Sequence, residues 1–118
     1  MSLVARHLEA QGIVTVVIGS ARDIVEECGV ARFLFVDFPL GNPCGKPGDT
    51  EMQRSIVSTA LDVVESAVLP RTTVQARVQW GSNDWRDAFM PVTDENRAEL
   101  FAVGERRRAA QAAASADR

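Results

Sequence analysis

Two apolar runs constrain this chain more than anything else in it. "IVTVVI", Ile13 to Ile18, is apolar except for one threonine, and "RFLFVDF", Arg32 to Phe38, is apolar at five of its seven positions. A strand with one wet face alternates polar and apolar residues, whereas a strand covered on both faces does not. The two runs therefore predict neighbouring strands of a parallel sheet, buried on both sides. Parallel strands need crossovers, and helical patterns stand ready to supply them. "SLVARHLEAQG" places Leu3, Val4, His7 and Leu8 on one helical face and stops at Gly12. "GSARDIVEECG" reads as a second helix, with Ser20 as N-cap and Gly29 just past its end. Asp49 caps a longer helix whose stripe is Met52, Ile56, Ala60, Val63, Val64 and Ala67, and Pro70 stops it. The order helix–strand–helix–strand–helix predicts an α/β fold. The expected form is a Rossmann-like or flavodoxin-like three-layer sandwich with a short parallel sheet and right-handed crossovers.

The rest of the chain has another character. "TTVQARVQW" alternates, with Val74, Ala76, Val78 and Trp80 on one side, and predicts a half-buried strand or an extended C-terminal arm. "GSND" is a turn, and "WRDAFMPV" predicts a short return strand. "TDENRAELFAVGERRR" predicts a final helix, with Thr93 as cap, acids in its first turn and arginines in its last. "AAQAAASADR" is low in complexity and is expected to fray. The expected organisation is one α/β domain over residues 1–92, then a C-terminal helix and tail over 93–118. A doubly wound domain ordinarily opens on a strand, and this chain opens on a helix. The expectation is that the sheet is completed by the late strands or a partner, or that the chain starts part-way through a domain lacking its N-terminal strand.

The 118 residues suffice for one small core. A net charge of −3 argues against a nucleic-acid partner. No apolar stretch approaches a membrane span, and Arg6, His7 and Glu9 break any signal-peptide pattern, so the expected location is cytoplasmic. Cys28 and Cys44 do not form a disulfide framework, and both are expected reduced.

In open α/β sheets, ligands sit beyond the carboxyl ends of the strands. "GSARD" and "PLGNPCGKPGD" fall there. Ser20 and the first amides of its helix are read either as an ordinary cap or as a seat for an anion. In the eleven residues Pro39 to Asp49, three prolines stiffen the backbone and three glycines let it approach a ligand closely. Lys46 and the amides around Gly41 and Gly45 would attract an anion, and Asn42 would hold a turn or orient a carboxylate. Alternatively this stretch is a rigid connector. Cys44, between Pro43 and Gly45, is expected exposed, near a lysine and a helix N-terminus, which makes it a weak candidate nucleophile. Asp37 is read as a base, or as a carboxylate satisfied by the loop's own amides. His7 is read as a packing residue, Cys28 as buried, and Trp80, Trp85 and Phe89 as core or interface. One histidine and two distant cysteines make no metal site, and no phosphate-loop, nucleophile-elbow or dinucleotide fingerprint is present.

"GIVTVVIGSARDIV…GVARFLFVDFPLGNP", followed by "EMQRSIVSTALDVVE", resembles the C-terminal part of the glycine/sarcosine/betaine reductase component B family, which includes the D-proline reductase selenoprotein subunit. The resemblance rests on Gly12 to Val16, on the "PLGNP" of Pro39 to Pro43, and on Arg54, Ile56, Val57, Ala60 and Leu61. It spans Val4 to Glu65. It implies an oxidoreductase domain for reductive deamination of a small carboxylate or amino-acid-like substrate, working with a disulfide as acceptor. The implied partners are further copies of the chain or other reductase subunits. The family's redox pair, selenocysteine or cysteine in a Cys-x-x-Cys-type motif, precedes the helix corresponding to Leu3–Gln11, and this sequence has no such motif. The expectation is that the pair lies upstream of Met1 and that no cofactor belongs to these residues. The substrate-binding residues expected are Ser20, Gly41, Asn42, Gly45 and Lys46. Two other readings stand beside this one: a non-catalytic small-molecule-binding or assembly module, and a thiol enzyme using Cys44.

Overall fold

The computed structural model describes residues 1–88 and 91–116. Its elements run α1 (Ser2–Ala10), β1 (Val17–Gly19), α2 (Arg22–Glu27), β2 (Arg32–Phe35), α3 (Thr50–Ser66), β3 (Thr72–Gln75), α4 (Asp84–Ala88) and α5 (Arg97–Ala116). They fall into two compact units, Met1–Arg86 and Asp87–Arg118. The first holds the whole sheet.

The three strands are parallel, in the order β1-β2-β3. Val17 pairs with Phe33 and Phe33 with Thr73, while Ile18 pairs with Leu34 and Leu34 with Val74. Paired residues of a parallel sheet share a face, so the register sorts the side chains by parity. Val17, Phe33 and Phe35 meet Val25 and Val30 of the α2 region and Ala5 of α1. Val16, Ile18, Leu34, Val36 and Val74 meet Ile56, Ala60 and Val63 of α3. Helices thus cover both faces, and the α/β three-layer sandwich with a short parallel sheet is the observed architecture. Phe33, Leu34, Val36, Phe38 and Ile56 are all but sealed from solvent, and burying each such side chain contributes about 1.5–3 kcal/mol.

The crossovers differ from expectation. Both connections step the same way across the sheet, one over each face, so they have opposite hands. One of them is therefore left-handed, against the usual preference. The sequence of β2 supplies the reason, because its apolar residues fall on both parities. Two right-handed crossovers would put α2 and α3 on one face and leave the other to the nine-residue α1 alone.

Local chemistry accounts for the helices. Asp49 caps α3, its Oδ1 accepting from the Met52 N–H at 3.0 Å. The stripe is as expected, with Ile56, Ala60 and Val63 buried and Met52 and Ala67 packed beside them. Ser20 does not cap α2. The N-cap is Ala21, without a side-chain bond, and Gly29 ends the helix at φ 67°. Arg71 Nη2 and Arg6 Nη1 bond the carbonyls of Glu26 and Cys28, two of the groups a helix leaves unpaired at its C-terminus.

Five other expectations change. The Leu3–Val4 face of α1 is mostly exposed, and the buried contact is Ala5. The run from Ile13 is a strand only from Val17, because β2 begins at Arg32 and offers no partner further back. The half-buried strand is confirmed as β3, but it ends at Gln75. Val78 and Trp80 continue its inward side in extended chain and pack on the α3-side core. The expected return strand is instead the short helix α4 from Asp84 to Ala88, with Phe89 and Met90 outside the described residues. In the second unit, α5 is continuous to Ala116, so the alanine-rich stretch is helical where fraying was expected. Thr93 and Asn96 bond reciprocally ahead of α5, the Asn96 N–H to Thr93 Oγ1 and the Thr93 N–H to Asn96 Oδ1.

Candidate ligand site at the strand ends

After Phe38 the chain makes three β-turns in succession. The Asn42 N–H donates to the Pro39 carbonyl, the Gly45 N–H to that of Asn42, and the Asp49 N–H to that of Lys46, each at 3.1 Å. In the last, Pro47 presets φ and Gly48, at φ 82°, takes the position that requires a positive value. Gln53 Nε2 donates back to the Lys46 carbonyl at 2.8 Å. Gly45 is buried against α3, where a Cβ would lie 3.1 Å from Met52 Cγ. The loop is thus largely self-bonded and clamped to the start of α3.

Lys46 is half-buried and reaches over the Trp80 ring. Its Nζ lies 5.6 Å from the centre of the Trp80 ring and would be 3.2 Å from a Cβ on Gly81. Trp80 stands edge-on to Phe38 at 5.1 Å. The post-β3 segment is therefore held between the core and the proline–glycine loop. The cation–π contact adds about 0.5–1 kcal/mol at such a site.

Held this way, the segment walls a cleft of about 320 Å³ at the carboxyl ends of β2 and β3. Asp37 and Gln75 come from the strand ends, Gln79 and Trp80 from the extended stretch, and Trp85 and Arg86 from α4. Arg86 Nη2 donates to Asp37 Oδ2 at 2.5 Å, with the two side chains 45% and 43% exposed. The Arg86 guanidinium also stacks on Trp85 at 4.5 Å. One cation, one anion, three side-chain amides and two indoles converge on one small space.

None of the expected ligand residues lines this cleft. Lys46 braces the Trp80 wall from outside. Gly41, Asn42 and Gly45 shape the turns, and the Asn42 and Gly45 amides bond within the loop. Ser20 follows β1, its Oγ buried and without a hydrogen-bond partner among the described residues. Asp37 is paired by Arg86, in place of the loop amides expected for it. Cys44 is exposed and outside the lining, Cys28 is half-buried, and His7 is exposed. Sequence reasoning missed Gln75, Gln79 and Arg86, and it placed Trp85 in a core or interface. The available signal was "QWGSNDWR", two indoles and an arginine around a turn, immediately downstream of a strand.

No protein-family model, no curated protein and no solved structure matches this chain.

Proposed function

We propose that the chain is the ligand-holding portion of a reductase of the glycine/sarcosine/betaine and D-proline reductase type. It takes a small amino-acid-like zwitterion into the cleft at the ends of β2 and β3. The reducing thiol or selenol would reach the bound ligand from outside the described lining, which holds no cysteine, and would itself end as one half of a disulfide or selenenyl sulfide. The observation that carries the reading is the half-exposed Asp37–Arg86 pair in a cleft that two indoles also line. An exposed ion pair contributes only about 0–1 kcal/mol, so opening it costs little. A ligand carboxylate then pairs with Arg86 and its ammonium with Asp37, so one ion pair becomes two. The guanidinium suits the planar carboxylate, and an indole face suits a methylated ammonium.

A non-catalytic binding module is the second reading, favoured by the lack of a cysteine in the cleft lining among the described residues. Both readings require zwitterion binding and separate on turnover. The test is an NMR titration with glycine, sarcosine, betaine and D-proline. The expected result is saturable shifts at Asp37, Gln75, the Trp80 indole and Arg86, lost in Arg86→Gln. Unmoved signals at tens of millimolar ligand would reject both readings.

A further inference from the structure

Among the described residues, no strand pairs with the outer edge of β1. β1 pairs with β2 alone, and the Gly19 carbonyl accepts from the Val36 N–H. Alternation then turns the backbone groups of Val16 and Ile18 outward, away from β2. Beside them, Met1, Val4 and Leu8 of α1 and Thr15 to Ile18 border an apolar groove of about 390 Å³. Ile13 and Val14 lead into it and are 52% and 56% exposed. From Ile13 to Gly19 there is no charge and no proline. Exposed edges are ordinarily blunted by lysines, prolines or bulges. The far edge differs, since the chain running on from β3 presents Gln75, Arg77 and Gln79 to solvent.

We infer that a second copy of this chain covers the β1 edge, with β1 antiparallel to β1 of that copy about a twofold axis. Self-pairing fits the charge distribution. A neutral patch meets itself without repulsion, whereas a charged partner would find no counter-charge there. It fits the symmetry, because an isologous contact closes on itself and leaves no second open site. It fits the sheet, which would grow from three strands to six, a usual size. The exposed apolar side chains suit such a contact: Val4, Ile13 and Val14 are 56%, 52% and 56% exposed, and a twofold pairing lays those of each copy against the other.

The test is sedimentation equilibrium together with hydrogen exchange at several protein concentrations. The substitutions are Val4→Glu and Val14→Lys, both at positions more than half exposed, with circular dichroism to verify the fold. The expected result is a dimer whose Val16 and Ile18 amides are protected as concentration rises, with dissociation at least tenfold easier in either variant. A monomer up to millimolar concentration would overturn the inference. So would a dimer indifferent to both substitutions, or one whose Val16 and Ile18 amides exchange at the monomer's rate. A monomer whose edge is protected only by an unrelated polypeptide would overturn it too.

Discussion

Gly45 and Gly41 show how one residue type does two jobs within one loop. Both have φ near 100°, where a side chain costs about 1–2 kcal/mol. Nothing lies within 4 Å of a Cβ added at Gly41, whereas at Gly45 it would meet Met52 Cγ at 3.1 Å and Ile56 Cδ1 at 3.4 Å. Gly41→Ala should therefore cost only the backbone term, about 1 kcal/mol. Gly45→Ala should cost about 2–4 kcal/mol, because Ile56 is sealed in the core and yields little. Urea unfolding of the two variants checks this, and equal losses would mean that Gly45 does not pack on α3 as described. The sequence showed that glycine was needed in this loop. It did not show which glycine faces solvent and which faces α3, because that depends on where the loop lands.

Elements were legible where their own residues determine them. α3 carries a cap, an apolar stripe and a stop within its sequence, and it was readable almost to the residue. β1 was not, since the length of a strand is set by its partner and β2 reaches back only as far as Arg32. Nor was α4, which is too short for a helical period to show. The docking of α1 depends on a contact that sequence hides. Glu9 Oε1 accepts from the Thr15 N–H at 2.5 Å, from Thr15 Oγ1 at 2.8 Å and from Arg32 Nη1 at 3.0 Å, tying α1 to the segment ahead of β1 and to the start of β2. Burial pushes the Glu9 pKa up. The two Thr15 bonds and the Arg32 charge together outweigh it, and the carboxyl lies below its ordinary value of 4.5. A lowered folded-state pKa means that the unfolded chain binds the proton more readily. The stability from Glu9 is thus fully present above the ordinary value and drains away as pH falls from there through the lowered one. Glu9→Gln should flatten the stability profile across that acid window, with the difference from the parent closing at the acid end. Urea midpoints measured from neutral pH downward test this. An unchanged acid slope would show that the clamp does not couple to folding.

At the scale of the molecule, fold and candidate site meet at the strand ends but rest on different residues. The α/β class was legible, because two buried runs with helices between them leave few alternatives. The hand of the crossovers was not, since it reflects which face each helix must cover, and both parities of β2 needed cover. The cleft was legible in place only: the strand ends were the right region, but its lining comes from a segment that sequence cast as an arm and a return strand. Trp80 and Arg86 separate the two roles. Trp80 packs on the α3-side core, edges Phe38 and carries Lys46 on its ring. Arg86 pairs with Asp37 at the surface. Trp80→Leu should lower stability by about 2–4 kcal/mol and abolish binding, because the wall collapses with the core contact. Arg86→Gln should change stability by less than about 1 kcal/mol while removing zwitterion binding. Thermal unfolding beside the NMR titration reads both effects. If Arg86→Gln unfolds the chain as readily as Trp80→Leu does, the Asp37–Arg86 pair is a strut of the fold. The cleft would then have no charge to offer a ligand.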